Sequence, residues 1–347
     1  MLRTKSLVLR EPFNAVVEEV PMPRPGHGEA LVQVKCVGVC GTDIRSWQGR
    51  HSFTSYPRVP GHEVSGIVVE FGSQTECHGI ASGDAVVIEP MVACGKCYSC
   101  SIGRYNCCES LEVLGVHRDG AMQEYLCVPA SLLHKAPPGS NFVELSFVEP
   151  ACVGLHAVNR SRASAGDTVA VIGAGNIGLL MIQILKAKGA NVIAIDVKDS
   201  RLNLARRLGA DLAINSKRDD PVKEAKEFTG GTGVPVVFEA VGAAETVLLT
   251  FDLVSYAGQI VLVGVCPDEV RLRPDFLNKR ELDVLASRNS KGAFPGVLDL
   301  VKEGKLVIDE LVSRRITIGE FNETMREVTS ADRDEVKIVV DFSDQQV

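Results

Sequence analysis

Cys40 and His62 each sit in a short polar segment, GVCGTD and GHE, that gathers groups able to serve a metal ion. A thiolate and an imidazole are common zinc donors, and Glu63, next to the histidine, adds a carboxylate. Thr42 and Asp43 follow the cysteine closely, one a hydroxyl that can pass a proton, the other a carboxylate that can orient a ligand imidazole. A cysteine and a histidine alone would be two core residues; in this company they point to a metal centre with an open position for a substrate.

A second cluster lies in CGKCYSCSIGRYNCC, where Cys94, Cys97 and Cys100 are followed by Cys107 and Cys108. Two-residue gaps let successive thiolates reach one ion, and four thiolates close a tetrahedral zinc with no position left for chemistry. On spacing alone the fourth ligand is Cys107 or Cys108. Such a cluster in a reducing compartment reads as metal-binding and not as disulfides.

The third constellation is Gly173-Ala-Gly175-Asn176-Ile177-Gly178, which follows the apolar run TVAVI and opens a helical pattern, with Asp196 ending the next apolar run. Glycines here permit a tight turn, close approach of a pyrophosphate and close helix packing, while the helix start offers free N–H groups to phosphate. Asp196 is placed to accept from the adenosine ribose and to repel a 2′-phosphate, which favours NAD over NADP; Lys198 and the more distant Arg201 are nearby cations that act the other way.

The elements around these residues fall into two styles. Up to about residue 133 the pattern is short strands, SLVLREP, AVVEEV, ALVQVKCVGV, EVSGIVVEFG, DAVVIEP and AMQEYLCVP, separated by Pro and Gly signals, which suggests a partly open β-barrel. FVELSFVEPACVGLHAVNRSRA reads as a helical connection. From Thr168 strands alternate with helical stretches as far as ELDVLAS, the pattern of a doubly wound parallel sheet. The expected fold class is thus α/β, with a catalytic domain over 1–150, a nucleotide-binding (Rossmann) domain over 151–287, and a return segment over 288–347 that completes the first.

With 347 residues, 45% hydrophobic and 23% charged, the chain is of ordinary globular composition and too long for one core. A net charge of −7 argues against nucleic acid or an anionic membrane as partner. The N-terminus lacks the apolar stretch of a signal peptide, and the uncharged run from Thr168 to Leu185 is interrupted by glycines and polar residues, so a cytoplasmic protein is expected.

GVCGTD, PGHEVSG, the four-cysteine lobe, VEPACVGLHAV, VIGAGNIGLL and LARRLGAD together resemble the zinc-containing medium-chain dehydrogenases, the family of alcohol, sorbitol and threonine dehydrogenases, over essentially the whole chain. SYPRVPGHE, LGVHRDGAMQEY and SRNS are most similar to its sugar-acid and polyol branch, L-galactonate and L-gulonate 5-dehydrogenases among them. The resemblance implies a GroES-like catalytic domain and two zinc ions per chain. Cys40 and His62 would be catalytic ligands with Glu63 or Glu149 as the third, and Cys94, Cys97, Cys100 and Cys108 would hold the structural ion. It implies further that Asp43 orients His62 and that Thr42 receives the substrate proton while hydride passes to NAD. Many relatives place a histidine five residues after the ligand cysteine to end the proton relay; here that position is Arg45, which cannot shuttle protons.

Arg118 and Arg288 are candidate contacts for a substrate carboxylate, against a surface salt bridge as the plainer role. The histidines at 27, 51, 78, 117, 134 and 156 are expected to be structural or solvated, and Trp47 and Phe53 either line the pocket or belong to the core. Oxidation of a secondary hydroxyl in a polyol or sugar acid is the expected activity, by a homodimer or homotetramer. L-threonine 3-dehydrogenase or sorbitol-type activity, and a non-catalytic NAD-binding protein, are the alternatives.

Overall fold

The computed structural model describes residues 2–75, 77, 79–330 and 334–343; His78 falls outside them. The chain forms two compact units, one of Met1–Glu149, Phe294–Lys302 and Ile308–Val347, the other of Pro150–Ala293 and Glu303–Val307.

The first unit opens with an antiparallel hairpin of β1 (Arg3–Glu11) and β2 (Asn14–Pro21). β3 (Glu29–Val39) leads directly into a short helix, α1 (Gly41–Trp47), and is followed by β4 (Glu63–Phe71) and β5 (Ala85–Ile88). A small lobe then carries β6 (Met91–Val92), α2 (Tyr98–Ser101) and β7 (Glu112–Val113), after which β8 (Tyr125–Pro129) and β9 (Leu133–Lys135) rejoin the main sheet. The expected helical connection is two helices, α3 (Phe142–Ser146) and α4 (Val148–Arg160). Asn141 caps the first, its side chain accepting from Val143 N at 2.9 Å.

The second unit alternates β10 (Thr168–Ile172), α5 (Asn176–Ala187), β11 (Asn191–Asp196), α6 (Asp199–Arg207), β12 (Leu212–Asn215), α7 (Pro221–Phe228), β13 (Val234–Glu239), α8 (Ala244–Leu253), β14 (Val254–Leu262), α9 (Pro274–Arg280) and β15 (Asp283–Ala286). Its parallel sheet runs in the order β12, β11, β10, β13, β14, β15. Strand order reverses between β10 and β13, the place where doubly wound sheets bind ligands. α5 buries every residue from Gly178 to Leu185, so the long uncharged run is a buried strand followed by a helix sunk in the domain core. Among the described residues no helix is long and apolar enough to cross a membrane.

The chain then adds α10 (Phe294–Lys302), β16 (Val312–Ile316), α11 (Phe321–Ser330) and β17 (Lys337–Asp341) to the first unit. Its main sheet runs β16, β17, β3, β4, β5, β9, with β8 also paired to β3. Leu7, Leu9, Val32, Val34, Trp47, Ile88, Phe321 and Val340 fill the core between these strands. Trp47 is therefore a core residue, with its Nε1–H donating to Asn322 Oδ1 at 2.8 Å.

Candidate active site and metal centres

Three neighbouring strands build the first donor set. In register, Gly38 on β3 lies opposite Glu63 on β4 and Val339 on β17, which brings Glu63 and Lys337 together around the one position without a side chain. A Cβ on Gly38 would come within 2.0 Å of Glu63 Oε2 and 2.9 Å of Lys337 Cε, so glycine is needed for the pair to exist. Glu63 and Lys337 are 2% and 4% exposed and form a tight ion pair. Burial disfavours the charge on Lys337, but the Glu63 carboxylate and the Cys40 thiol outweigh it and raise its pKa above the ordinary lysine value.

Cys40 is the N-cap of α1 and Asp43 its third residue. Asp43 Oδ2 accepts from Cys40 N at 2.8 Å, while its Oδ1 accepts from Gly61 N at 3.0 Å. One carboxylate thus ties together the two chain segments that carry Cys40 and His62. The same Oδ1 faces His62 Nδ1 at 3.9 Å, on the side of the ring away from a metal held by the other nitrogen. Burial works against protonation of His62, yet Asp43 and the Cys40 thiol prevail and hold its pKa well above 6.5.

Donor atoms of Cys40, His62 and Glu63 lie within 4.8 Å of one another and could hold one metal ion. Glu149 is not in that tight group, but it is close enough to feel His62 and Glu63. Desolvation first, and the Glu63 charge after it, push its carboxyl up to about 7, although His62 pulls the other way. A thiol and three carboxylates, Asp43, Glu63 and Glu149, share this region with the Lys337 ammonium, and that donor chemistry and charge balance suit a divalent zinc.

The small lobe holds the second set. Cys94, Cys97, Cys100 and Cys108 have their sulfurs within 4.8 Å of one another, and Cys107 is not of the group. Backbone N–H groups of Lys96 and Cys97 point at Cys94 and draw its pKa down to about 6, the environment of a ligand thiolate. The lobe's own core is Met91, Cys108 and Leu111 with a few partly buried neighbours, too little to hold a fold without a cross-link. Glu89 ties the lobe to the barrel, accepting from Tyr105 Oη at 2.8 Å and lying 3.1 Å from His134 Nε2.

In the second unit, Gly173 has φ +97°, and a Cβ on Gly178 would sit 1.8 Å from Gly173 O, so the turn and the close helix start both require glycine. Asp196 is buried and largely engaged: Oδ2 accepts from Ala174 N at 2.7 Å, Oδ1 from Val197 N at 2.7 Å and Lys198 N at 3.0 Å. A carboxylate has about four acceptor positions, so room remains for a ribose hydroxyl. The Arg201 guanidinium lies 4.0 Å from where a Cβ of Gly175 would be, and its buried Nε has no hydrogen-bond partner among the described residues. Asn176 Oδ1 is likewise buried without a partner among the described residues. These buried polar groups lie at or beside the glycine-rich turn, and they fit a dinucleotide.

Arg118 makes a loose ion pair with Glu112 at 3.8 Å on the surface of the first unit, and Arg288 is exposed after β15 in the second. Phe53 is 69% exposed and packs against the rings of His51 and His117, with centroids 6.0 and 5.6 Å away. Sequence reasoning missed Lys337, although a lysine opening the apolar strand KIVVD was the available signal.

Two compact units, a barrel with two metal-competent donor sets and a doubly wound nucleotide domain, define a zinc-dependent dehydrogenase. Residues 26–138 match the alcohol dehydrogenase GroES-like domain and residues 176–303 the zinc-binding dehydrogenase family. L-galactonate-5-dehydrogenase of Escherichia coli (strain K12) is 35% identical over 97% of this chain and 98% of its own. Erythritol/L-threitol dehydrogenase of Mycolicibacterium smegmatis is 34% identical over 97% of each. Among solved structures, a putative zinc-binding dehydrogenase from Sinorhizobium meliloti 1021 bound to NADP superposes with a TM-score of 0.93, at 35% identity and covering 98% of this chain and 100% of that one. The chain belongs to the zinc-containing medium-chain alcohol dehydrogenase family: it is an oxidoreductase that acts on alcohols with a nicotinamide cofactor.

Proposed function

We propose that this enzyme oxidises a secondary hydroxyl of a sugar acid or polyol and passes the hydride to NAD. Cys40, His62 and one of Glu63 and Glu149 are the protein ligands of the catalytic zinc, and Cys94, Cys97, Cys100 and Cys108 hold a structural one. The observation that carries the reading is the convergence of Cys40, His62 and Glu63 on one point, oriented by Asp43. Zinc bound there supplies Lewis acidity toward a substrate hydroxyl.

Everything else is the work of the chain. Asp43 fixes the distance between the Cys40 and His62 segments, and Thr42, on the first turn of α1, takes up the substrate proton. Lys337 pairs with Glu63, and Glu149, close to both His62 and Glu63, is the alternative third carboxylate of the zinc. Gly173, Gly175, Asn176, Ile177 and Gly178 seat the pyrophosphate, and Asp196 receives the ribose. The carboxylate's charge supports NAD; the unpartnered Nε of Arg201 is the observation that favours NADP as the second reading. Arg118 and Arg288, in separate units and with Arg118 already paired to Glu112, are each a candidate contact for a substrate carboxylate. Homo-oligomerisation belongs to the same reading, because β15 ends the second sheet and exposes Val284.

A panel of aldonates, polyols and L-threonine, each with NAD and NADP, tests this. Turnover of an aldonate or polyol with NAD is expected, and turnover of L-threonine alone would overturn the substrate class.

A further inference from the structure

The position where many relatives carry a relay histidine is Arg45, yet the first unit offers another imidazole near the same helix. Ser46, fully buried, lies one turn beyond Thr42 on α1, and residues four apart on a helix are neighbours, with Cβ atoms about 5–6 Å apart. Ser46 Oγ is 2.8 Å from Thr54 Oγ1, and Thr54 Oγ1 is 3.0 Å from His51 Nδ1. Tyr56 Oη donates to Ser46 O and pins the loop against the helix. His51 itself is half-buried, with the exposed ring of Phe53 beside it.

We infer that His51 is the outer proton acceptor of this dehydrogenase, reached from Thr42 through Ser46 and Thr54, in place of a histidine at position 45. The inference rests on Thr42 taking the substrate proton, as proposed above. The path calls for one water bridging the Thr42 and Ser46 hydroxyls. Each hydroxyl then gives up its own proton as it receives the next. The net change is one proton moved from the substrate hydroxyl to His51, which releases it to bulk water from its accessible side. No bond of the relay residues is altered at the end.

The electrostatic surroundings suit a base that must be neutral to work. Desolvation is the main influence lowering the His51 pKa below 6.5; Arg45 and His117 add to it, His62 contributes in the same direction, and Asp43 opposes. Arg45, unable to carry a proton, would thus act by keeping His51 unprotonated at neutral pH.

The test uses the zinc-loaded enzyme with whichever alcohol of the panel it oxidises fastest, so a wrong substrate class leaves it intact. His51→Gln is expected to lower kcat for oxidation roughly 10- to 100-fold below neutrality, with a smaller loss at high pH where hydroxide replaces the base, and added imidazole should restore activity. Thr54→Val should reproduce the loss while leaving His51 in place. An NMR titration of the His51 ring, read without substrate, should place its pKa below 6.5, and Arg45→Gln should raise it. A His51→Gln pH profile parallel to that of the wild type, without imidazole rescue, would overturn the inference, as would a His51 titration indifferent to Arg45.

Discussion

Replacing Lys337 by methionine keeps most of the side-chain volume and removes the charge opposite Glu63. Both partners are buried to within a few per cent, and no bulk water reaches the pair. Removing one member of such a pair leaves an uncompensated charge, which costs about 3–5 kcal/mol. In a domain of this size that corresponds to a loss of roughly 6–20 °C in Tm. The loss should not be the same with and without metal. In the zinc-free protein Glu63 has lost its counter-charge, whereas in the loaded protein the dication stands a few ångströms away and replaces the ammonium. Calorimetric scans of Lys337→Met and wild type, each with the catalytic site stripped and reloaded, would measure the two losses. The stripped variant should lose the larger amount and regain most of it on reloading. Equal losses in both states would mean that Glu63 does not sense the metal, and the arrangement of strands around Gly38 would then have to be explained as a structural ion pair only.

Asp43→Asn keeps one acceptor but cannot serve both Cys40 N and Gly61 N while facing His62, so zinc affinity measured by chelator competition should fall about 10–100-fold. Cys108→Ser should lose the lobe's zinc and lower Tm, while Cys107→Ser keeps both, as elemental analysis of the purified variants would show. Gly178→Ala forces a Cβ onto Gly173 O and should cost about 1–3 kcal/mol in denaturant unfolding, together with a larger loss of cofactor affinity by fluorescence titration. Asp196→Ala should narrow the preference for NAD over NADP in kcat/KM, and an unchanged ratio would assign the carboxylate wholly to the Ala174, Val197 and Lys198 amides.

Much of this was readable in the letters because it rests on local patterns. The α/β class and most strands follow from alternation and from apolar runs between Gly and Pro signals, and the four-cysteine lobe and the glycine-rich turn are contiguous. β16 was missed because VSRRI, with two arginines, does not read as a strand; it is held there by pairing with β17, a partner chosen by the whole fold. α9 was missed because it is short and starts at Pro274, with only Phe276 and Leu277 turned to the core. The same distinction holds in the active site. Cys40, Thr42, Asp43, His62 and Glu63 sit in two short motifs. Lys337 arrives from the far end of the chain through strand register, and His51 becomes noticeable only once Ser46 and Thr54 are seen to link it to α1. Spacing singles out Asp196, but not its three amide partners, which depend on how the turn closes over it.

The central claim is that Cys40, His62 and a neighbouring carboxylate hold a zinc ion distinct from that of the cysteine lobe. Zinc content of the wild type and of His62→Ala tests it most directly. The wild type should carry about two zinc ions per chain and the variant about one, with alcohol oxidation lost and the lobe's zinc retained. A wild type with zinc in the lobe alone, or a His62→Ala protein that keeps both ions, would contradict it.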